Sequence, residues 1–152
     1  MTELFVTGAR IDWERVGKNS WLRRIPALNG LGEISFRKNV TFLAGENGSG
    51  KSTLLEAIAV ASGFNPEGGT RNYRFCTYEE TLELLRHIHT LAEAGAQFIV
   101  VTHSPFLLGL PGAEILSLSE KGLVPCAYEE TESFRITEMF LRHRQTMLKE
   151  LL

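Results

Sequence analysis

Aspartate is almost absent from this sequence. Asp12 is the only aspartate in 152 residues, so 17 of the 18 acidic side chains are glutamate. Cysteine is scarce as well, and Cys76 and Cys126 lack the short spacing that metal and redox motifs use. Any site that depends on an aspartate is therefore limited to position 12, and both cysteines are predicted to be free thiols.

Long apolar runs are also missing. No stretch approaches the roughly 18 consecutive apolar residues that a membrane-spanning helix requires. The first residues, Met1 to Glu3, lack the basic start and the apolar stretch of a secretion signal. These observations predict a soluble, cytoplasmic protein with no membrane insertion.

Neither sign of charge dominates the chain. Sixteen basic residues stand against 18 acidic ones, a net charge of -2, which excludes a global attraction to phosphate backbones. The distribution is uneven, because residues 1–44 hold seven basic and four acidic groups and the rest of the chain holds nine and 14. The basic stretch from Arg10 to Lys38 leaves two interpretations open, a surface of mixed sign or a local face for nucleic acid.

The overall composition is that of an ordinary globular protein, with 43% hydrophobic and 22% charged residues. The length is close to the commonest single-domain size of about 100 to 150 residues, so one core is sufficient. We therefore expect a single domain that spans residues 1–152.

Short apolar runs typical of strands alternate along the chain with segments of helical periodicity. This order predicts an α/β fold. Short strands are predicted at residues 4–6, 33–36, 40–44, 73–77 and 98–101, followed by a hairpin of residues 115–118 and 123–128. The strands at 40–44 and 98–101 are expected to be adjacent and parallel in a narrow, mainly parallel sheet, because a connection of this length suits a crossover.

Three helices are predicted. The segment 52–62 is apolar almost all round, which indicates a helix enclosed in a core, and Gly63 can end it. A second helix over 79–94 follows a capping box of Thr77 and Glu80, and a third runs from about residue 132 to the end. The second helix has an apolar stripe made of Leu82, Leu85, Ile88 and Leu91.

A phosphate-binding pattern, G-x-x-x-x-G-K-[ST] (Walker A), stands between the strand at 40–44 and the helix at 52–62. Its glycines let the backbone wrap a phosphate, and the helix start adds partial positive charge. Lys51 is expected to hold the β and γ phosphates of ATP, and the Ser52 hydroxyl to bind Mg2+. The predicted nucleotide-binding residues are Gly45, Glu46, Asn47, Gly48, Ser49, Gly50, Lys51, Ser52 and Thr53.

Together with the segment Gln97 to Pro105 and the tail from Tyr128, this loop resembles the stand-alone bacterial predicted ATPases of the ABC class, in the wider AAA family. Those proteins are relatives of chromosome-maintenance and DNA-repair ATPases. The resemblance covers nearly the whole chain, and Asn47-Gly48-Ser49 is typical of ABC-class loops. It implies a P-loop NTPase fold, binding of ATP and Mg2+, ATP hydrolysis, and assembly as a homodimer.

The resemblance also implies two further site residues. His103 matches the histidine that contacts the γ phosphate and helps to orient the attacking water, although it could instead be a strand-end histidine bonded to backbone. An aromatic residue upstream of the loop stacks on adenine in ABC proteins. Trp21 is the better placed candidate and Trp13 the other, and either could equally be a core or surface aromatic.

The segments that such ATPases use for hydrolysis are missing. No apolar strand ends in Asp-Glu, the pair that holds Mg2+ through water and polarises the nucleophile, because Asp12 precedes the loop. The signature segment is absent too, since the only Ser-Gly pairs are Ser49-Gly50 and Ser62-Gly63. Compared with this family, the sequence predicts that an internal segment has been cut out near residues 76–79, either in nature or because this sequence is an abridged form. Glu46 is a substitute base on this interpretation, or a solvent-facing loop residue.

Three functions follow as hypotheses. The first is an ATP-binding protein of ABC-type P-loop ATPase class in which hydrolysis is weakened. The second is a nucleotide-gated interaction subunit that binds ATP without turnover to shape a surface for a partner protein. The third is a DNA-associated, repair-type ATPase that uses the basic stretch.

Overall fold

The computed structural model describes residues 3–64 and 78–152. These residues form a mixed α/β structure with a four-stranded sheet, a separate two-stranded ribbon and four α-helices. The strands are β1 (Gly8–Arg10), β2 (Glu33–Ser35), β3 (Val40–Gly45), β4 (Phe98–Val101), β5 (Glu114–Ser119) and β6 (Gly122–Pro125). The helices are α1 (Lys51–Ala61), α2 (Tyr78–Glu93), α3 (Pro105–Leu108) and α4 (Glu132–Leu151), with short 3-10 turns at Trp21–Arg24 and Tyr128–Glu130.

The main sheet has the strand order β4-β3-β5-β6. The strand β3 pairs in parallel with both β4 and β5, while β5 and β6 form an antiparallel hairpin. Val40 lies opposite Phe98 and Leu43 opposite Val101, which confirms that the two predicted apolar strands are adjacent and parallel. The carboxyl ends of β3, β4 and β5 therefore meet at one edge of the sheet.

The central strand β3 is buried along almost its whole length, as its apolar sequence predicts. Successive side chains point to opposite faces, so Leu43 joins one apolar cluster while Phe42 joins another. The first cluster contains Leu54 and Ile58 of α1, and the second contains Ile88 of α2. Helices α1 and α2 thus cover opposite faces of the sheet.

The first predicted strand is wrong in position. Residues 4–6 are not a strand, and β1 lies instead at Gly8–Arg10, paired antiparallel with β2. The backbone of Val6 is bound by a side chain, because the Gln97 amide accepts from its N–H and donates to its C=O, both at 2.8 Å. One glutamine thus satisfies the two polar groups that strand pairing would otherwise use.

The helices lie at the predicted places, but two predictions about their faces are wrong. The helix α1 is not enclosed, since Val60 is 54% exposed and only Lys51, Leu54 and Ile58 are buried. On α2, Leu82 and Leu91 are exposed, and the face that packs consists of Leu84, Leu85, Ile88 and Ala92. Gly63 follows α1 with a φ of 81°, as its predicted role in ending that helix requires.

Several expectations fall on residues outside the described ranges. These are the strand at 73–77, the Thr77 part of the capping box, the Cys76 thiol and the join near 76–79. Within the described ranges, Cys126 is a free thiol, and burial raises its pKa, so its reactive thiolate form is disfavoured. None of the helices described is long and apolar enough to cross a membrane.

Candidate functional site

The loop between β3 and α1 turns through three glycines with positive φ. Gly45, at the end of β3, has a φ of 129°, Gly48 has 81°, and Gly50, the residue before α1, has 96°. Side-chain-bearing L residues rarely adopt this backbone region, whereas glycine adopts it at no steric cost. The sequence pattern of the glycine loop (residues 45–53) therefore produces the tight strand-to-helix turn that it predicts.

Two of these glycines also permit close packing. A Cβ at Gly45 would lie 2.3 Å from the carbonyl oxygen of Leu118 on β5, and one at Gly50 would lie 3.0 Å from Ile25 and 3.1 Å from Leu28. A Cβ at Gly48 would meet nothing within 4 Å. The ends of the loop are thus held against the protein, while its middle stays open.

Lys51 is the first residue of α1, and its side chain folds back over the loop. Its ammonium group donates to the carbonyl oxygens of Gly45 at 2.8 Å and Glu46 at 2.6 Å. The residue is only 6% exposed, and this burial lowers the pKa of the Lys51 ammonium, while the carboxylates of Glu132 and Glu46 act in the opposite direction. A buried cation is therefore placed at the loop, with carbonyl partners that an anion can replace.

The first turn of α1 offers backbone donors beside this cation. The N–H of Leu54 is the first to bond within the helix, to the carbonyl of Gly50 at 2.9 Å. The N–H groups of Lys51, Ser52 and Thr53 therefore have no intrahelical acceptor and lie at the positive end of the helix dipole. Ser52 is exposed. The loop thus combines a lysine, free amides and a hydroxyl at one end of one helix.

Two cavities adjoin the glycine loop at the carboxyl edge of the sheet. One of about 550 Å³ is lined by Pro26 and Ala27, by loop residues 46–49 and by residues 118–121 of the β5–β6 hairpin. The other, of about 390 Å³, lies between residues 44–46, the end of β5 and the first turn of α4. The loop is accordingly open on two sides to groups of small-molecule size.

His103 lies at the same edge of the sheet. It is exposed and follows β4, two residues beyond Val101, which pairs with Leu43. Gly45 likewise lies two residues beyond Leu43, so the parallel register places both residues at one level of the sheet. The topology therefore brings His103 to the side of the loop, and its contact with a γ phosphate stays a prediction.

Comparison with known protein families gives a match to part of the chain. The family described as AAA domain matches residues 27–96, which include the glycine loop but amount to less than half of the chain. The match supports an AAA-type P-loop ATPase family. No curated protein and no solved structure matches the chain. The matched region supports a nucleotide-binding function of ATPase type, and His103, Trp21 and α4 lie outside it.

The two tryptophans lie in different environments. Trp13 is partly buried, donates from its Nε1 to the carbonyl of Leu31 at 3.0 Å, and has the Arg23 guanidinium 5.3 Å from its ring centre. Trp21 is 58% exposed in the 3-10 turn that precedes Ile25 and Pro26, both of which lie at the glycine loop. Trp13 therefore packs within the protein, whereas the indole of Trp21 is accessible to an aromatic ring. Stacking of Trp21 on adenine stays a prediction.

One residue near the loop was not predicted from the sequence. Glu132 begins α4, and it lines the cavity of about 390 Å³ opposite Gly45 and Glu46. It is 81 residues beyond Lys51 in the chain and belongs to no motif, so only the fold brings the two together. No group of three or more His, Cys, Asp and Glu residues is placed to hold a metal ion in the part of the chain that the structure describes.

Proposed function

We propose that the protein is an ATP-binding module of ABC-type P-loop ATPase class, with Mg2+ as the accompanying ion. The observation that supports this most strongly is the geometry of Lys51, whose ammonium lies buried over the glycine loop between β3 and α1. The AAA-domain match over residues 27–96 supports the broader AAA-type P-loop ATPase family. The ABC-type assignment rests on the resemblance of the loop and of the segment around His103.

The residues present fit a triphosphate with its metal ion. Lys51 and the free amides of the first turn of α1 would bind phosphate oxygens, as anions bind at other helix N-termini. Ser52 would supply a hydroxyl oxygen to Mg2+, the hard ligand type that this ion prefers. Bound Mg2+ would offset phosphate charge that the single lysine cannot balance alone.

The same residues favour slow turnover. The Asp-Glu pair has no equivalent in the sequence, and the carboxylates near the loop belong to residues such as Glu46 and Glu132, which are exposed. Loss of a positioned general base costs about 10²- to 10⁴-fold in rate. We therefore expect binding of Mg2+ and ATP to be the main property of this chain, with weak hydrolysis.

Titration calorimetry with a set of related ligands tests this proposal. In the presence of Mg2+, affinity is expected to rise from adenosine to ADP and to ATP, because the glycine loop contacts phosphates rather than the base. Equal affinities for adenosine and ATP would contradict a phosphate-binding loop. Inorganic triphosphate serves as the control for charge alone, since it lacks the ring expected to contact Trp21.

A second candidate is a nucleotide-gated interaction subunit, and α4 is the observation that favours it. This 20-residue helix has no buried residue, and Leu141 is 75% exposed. Its first turn lines a cavity beside the glycine loop, so a ligand there would meet one end of it. The partner that we infer is a second copy of the chain. Residues 132–138 carry two glutamates and one arginine, and residues 139–151 carry three basic residues and one glutamate, so antiparallel pairing would place a slightly negative end against a positive one. One such pair, Glu138 with Arg142 at 2.8 Å, already forms within the helix.

Sedimentation analysis with and without Mg2+ and ATP tests the second candidate. A rise in the dimer fraction with ATP is expected, and Leu141→Glu should abolish it. Val124→Glu on β6 is a matched control, because Val124 is also exposed but lies on another element. A monomer under every condition would exclude this candidate while leaving ATP binding intact.

Binding to DNA stays a prediction with less support. Arg23 donates to the backbone carbonyls of Gly17 and Val16, and Arg15 pairs with Asp12 at 3.2 Å. These two arginines of the basic stretch are therefore engaged within the protein. A loss of duplex affinity between low and moderate salt would support a phosphate-binding face.

A further inference from the structure

A carboxylate from the far end of the chain lies beside the glycine loop. One wall of the cavity of about 390 Å³ is formed by Gly45 and Glu46 at the end of β3, and another by Glu132 and Arg135 in the first turn of α4. The cavity is therefore shared between the loop and a helix that begins 81 residues after Lys51.

The position of Glu132 is fixed by the residue before it. Thr131 is buried, donates from Oγ1 to the carbonyl of Tyr128 at 2.7 Å, and accepts from the N–H of Phe134 at 3.3 Å. The bond from the Phe134 N–H caps α4, and the two bonds together anchor the backbone at the start of this helix. Glu132 itself makes no ion pair among the described residues, so its carboxylate is free to interact with a ligand in the cavity.

The charges around the cavity are unbalanced. Three carboxylates, those of Glu46, Glu130 and Glu132, line it against the single cation of Arg135. Lys51 does not line the cavity, but its ammonium is bonded to the carbonyls of Gly45 and Glu46, which do. The Glu130 carboxylate already accepts from the N–H of Ala127 at 3.2 Å. Glu132 also acts on Lys51 more strongly than Glu46 does, as the causes of the Lys51 pKa shift show. A phosphate that binds Lys51 therefore approaches the negative charge of Glu132.

We propose that Glu132 makes the phosphate site selective for magnesium-bound nucleotide over metal-free nucleotide. This inference rests on the proposed binding of ATP at the glycine loop. A carboxylate repels the bare phosphate oxygens but attracts a divalent cation that accompanies them, since Mg2+ prefers carboxylate and phosphate ligands. Glu132 would thus supply part of the negative charge that attracts Mg2+. An Asp-Glu strand cannot supply this charge here, because the single aspartate of the chain, Asp12, precedes the glycine loop.

The variant Glu132→Gln tests this proposal by binding rather than by activity. Calorimetry would give the ATP affinity in excess Mg2+ and in a chelator, and hence the ratio of the two. In Glu132→Gln the metal-free affinity should rise about threefold or more, and the ratio should fall accordingly. Glutamine has the same shape and leaves the Thr131 cap intact, so the variant is expected to fold, which its thermal unfolding would verify.

The matched control is Glu150→Gln. Glu150 is exposed 18 residues after Glu132, beyond the kink of α4 at His143, and it does not line the cavity, so the ratio for Glu150→Gln should equal that of the wild type. An unchanged ratio in Glu132→Gln, or an equal loss of affinity in both conditions, would overturn the proposal. If the wild type bound no ATP in either condition, the proposed function itself would be wrong, a result distinct from a failure of the Glu132 inference alone.

Discussion

The ammonium of Lys51 donates a hydrogen bond of 2.6 Å to the carbonyl oxygen of Glu46, so this cation is bound to its own loop. Two further bonds, to the Gly45 carbonyl at 2.8 Å and to the Ser49 hydroxyl at 3.4 Å, complete the arrangement. A phosphate that binds here would exchange these neutral acceptors for charged oxygens, which adds the attraction between opposite charges to the hydrogen bonds of the ammonium. The loop therefore holds the lysine ready for an anion.

The stability of the protein should depend on pH through Lys51. Burial lowers the pKa of Lys51 in the folded state, so the unfolded chain binds more protons between this lowered value and the ordinary value of 10.5. The contribution of Lys51 to the free energy of unfolding is therefore most unfavourable below its folded-state pKa. This destabilisation disappears as the pH rises towards 10.5. The variant Lys51→Met should be more stable than the wild type near about pH 8, and urea denaturation should show the difference narrowing at higher pH. A difference that widened would contradict the direction of the shift.

Two loop glycines, Gly45 and Gly48, should differ in their tolerance of alanine. Gly45→Ala combines a positive φ with a contact of 2.3 Å to the Leu118 carbonyl, which the sheet cannot easily relieve. We expect a loss of about 3 kcal/mol or more of folding free energy for Gly45→Ala and about 1 kcal/mol for Gly48→Ala, where space is open. Gly32→Ala, with open space and no positive φ, should be nearly neutral. Equal losses of folding free energy in Gly45→Ala and Gly48→Ala, measured by chemical denaturation, would show that the contact with β5 does not contribute to the cost.

Much of this fold could be predicted from local sequence. The strand β3 reads as buried because five consecutive residues have apolar or β-branched side chains, and the glycine pattern places the turn and the start of α1 at Lys51. The hairpin of β5 and β6 and the start of α4 were also confirmed. The second hairpin strand ends at Pro125 rather than at residue 128, and α4 has a kink at His143 that was not predicted. In each confirmed case the signal lies within a few neighbouring residues.

The wrong or missed predictions concern features that depend on contacts between residues far apart in the sequence. Residues 4–6 have a strand-like composition, but the side chain of Gln97 binds the backbone of Val6. No residue near position 6 in the sequence indicates this partner. The exposed ends of the α2 stripe, Leu82 and Leu91, reflect which face meets β3 rather than the periodicity itself. Glu132 was missed for the same reason, because only the fold brings the start of α4 to the cavity beside the glycine loop.

Hydrolysis should be slow in this chain. Because no Asp-Glu strand is present, phosphate release from Mg2+ and ATP is expected well below about 1 per second, the lower end of typical enzyme rates. His103→Ala should change this residual rate little, since a histidine that orients water adds little without a base beside it. The rate has to be measured on protein whose mass matches 152 residues. Turnover above that limit would mean that another residue supplies the base, and Glu46→Gln would then be the first variant to measure.

Binding of ATP by Lys51→Ala is the most direct test of the glycine loop as a phosphate site. The substitution removes the charge over the loop but leaves the three glycines that shape it, so calorimetry in Mg2+ should show an affinity lower by about tenfold or more. Lys149→Ala removes an exposed lysine in the last turn of α4 and should bind as the wild type does. An affinity of Lys51→Ala equal to that of the wild type would contradict the account of the site.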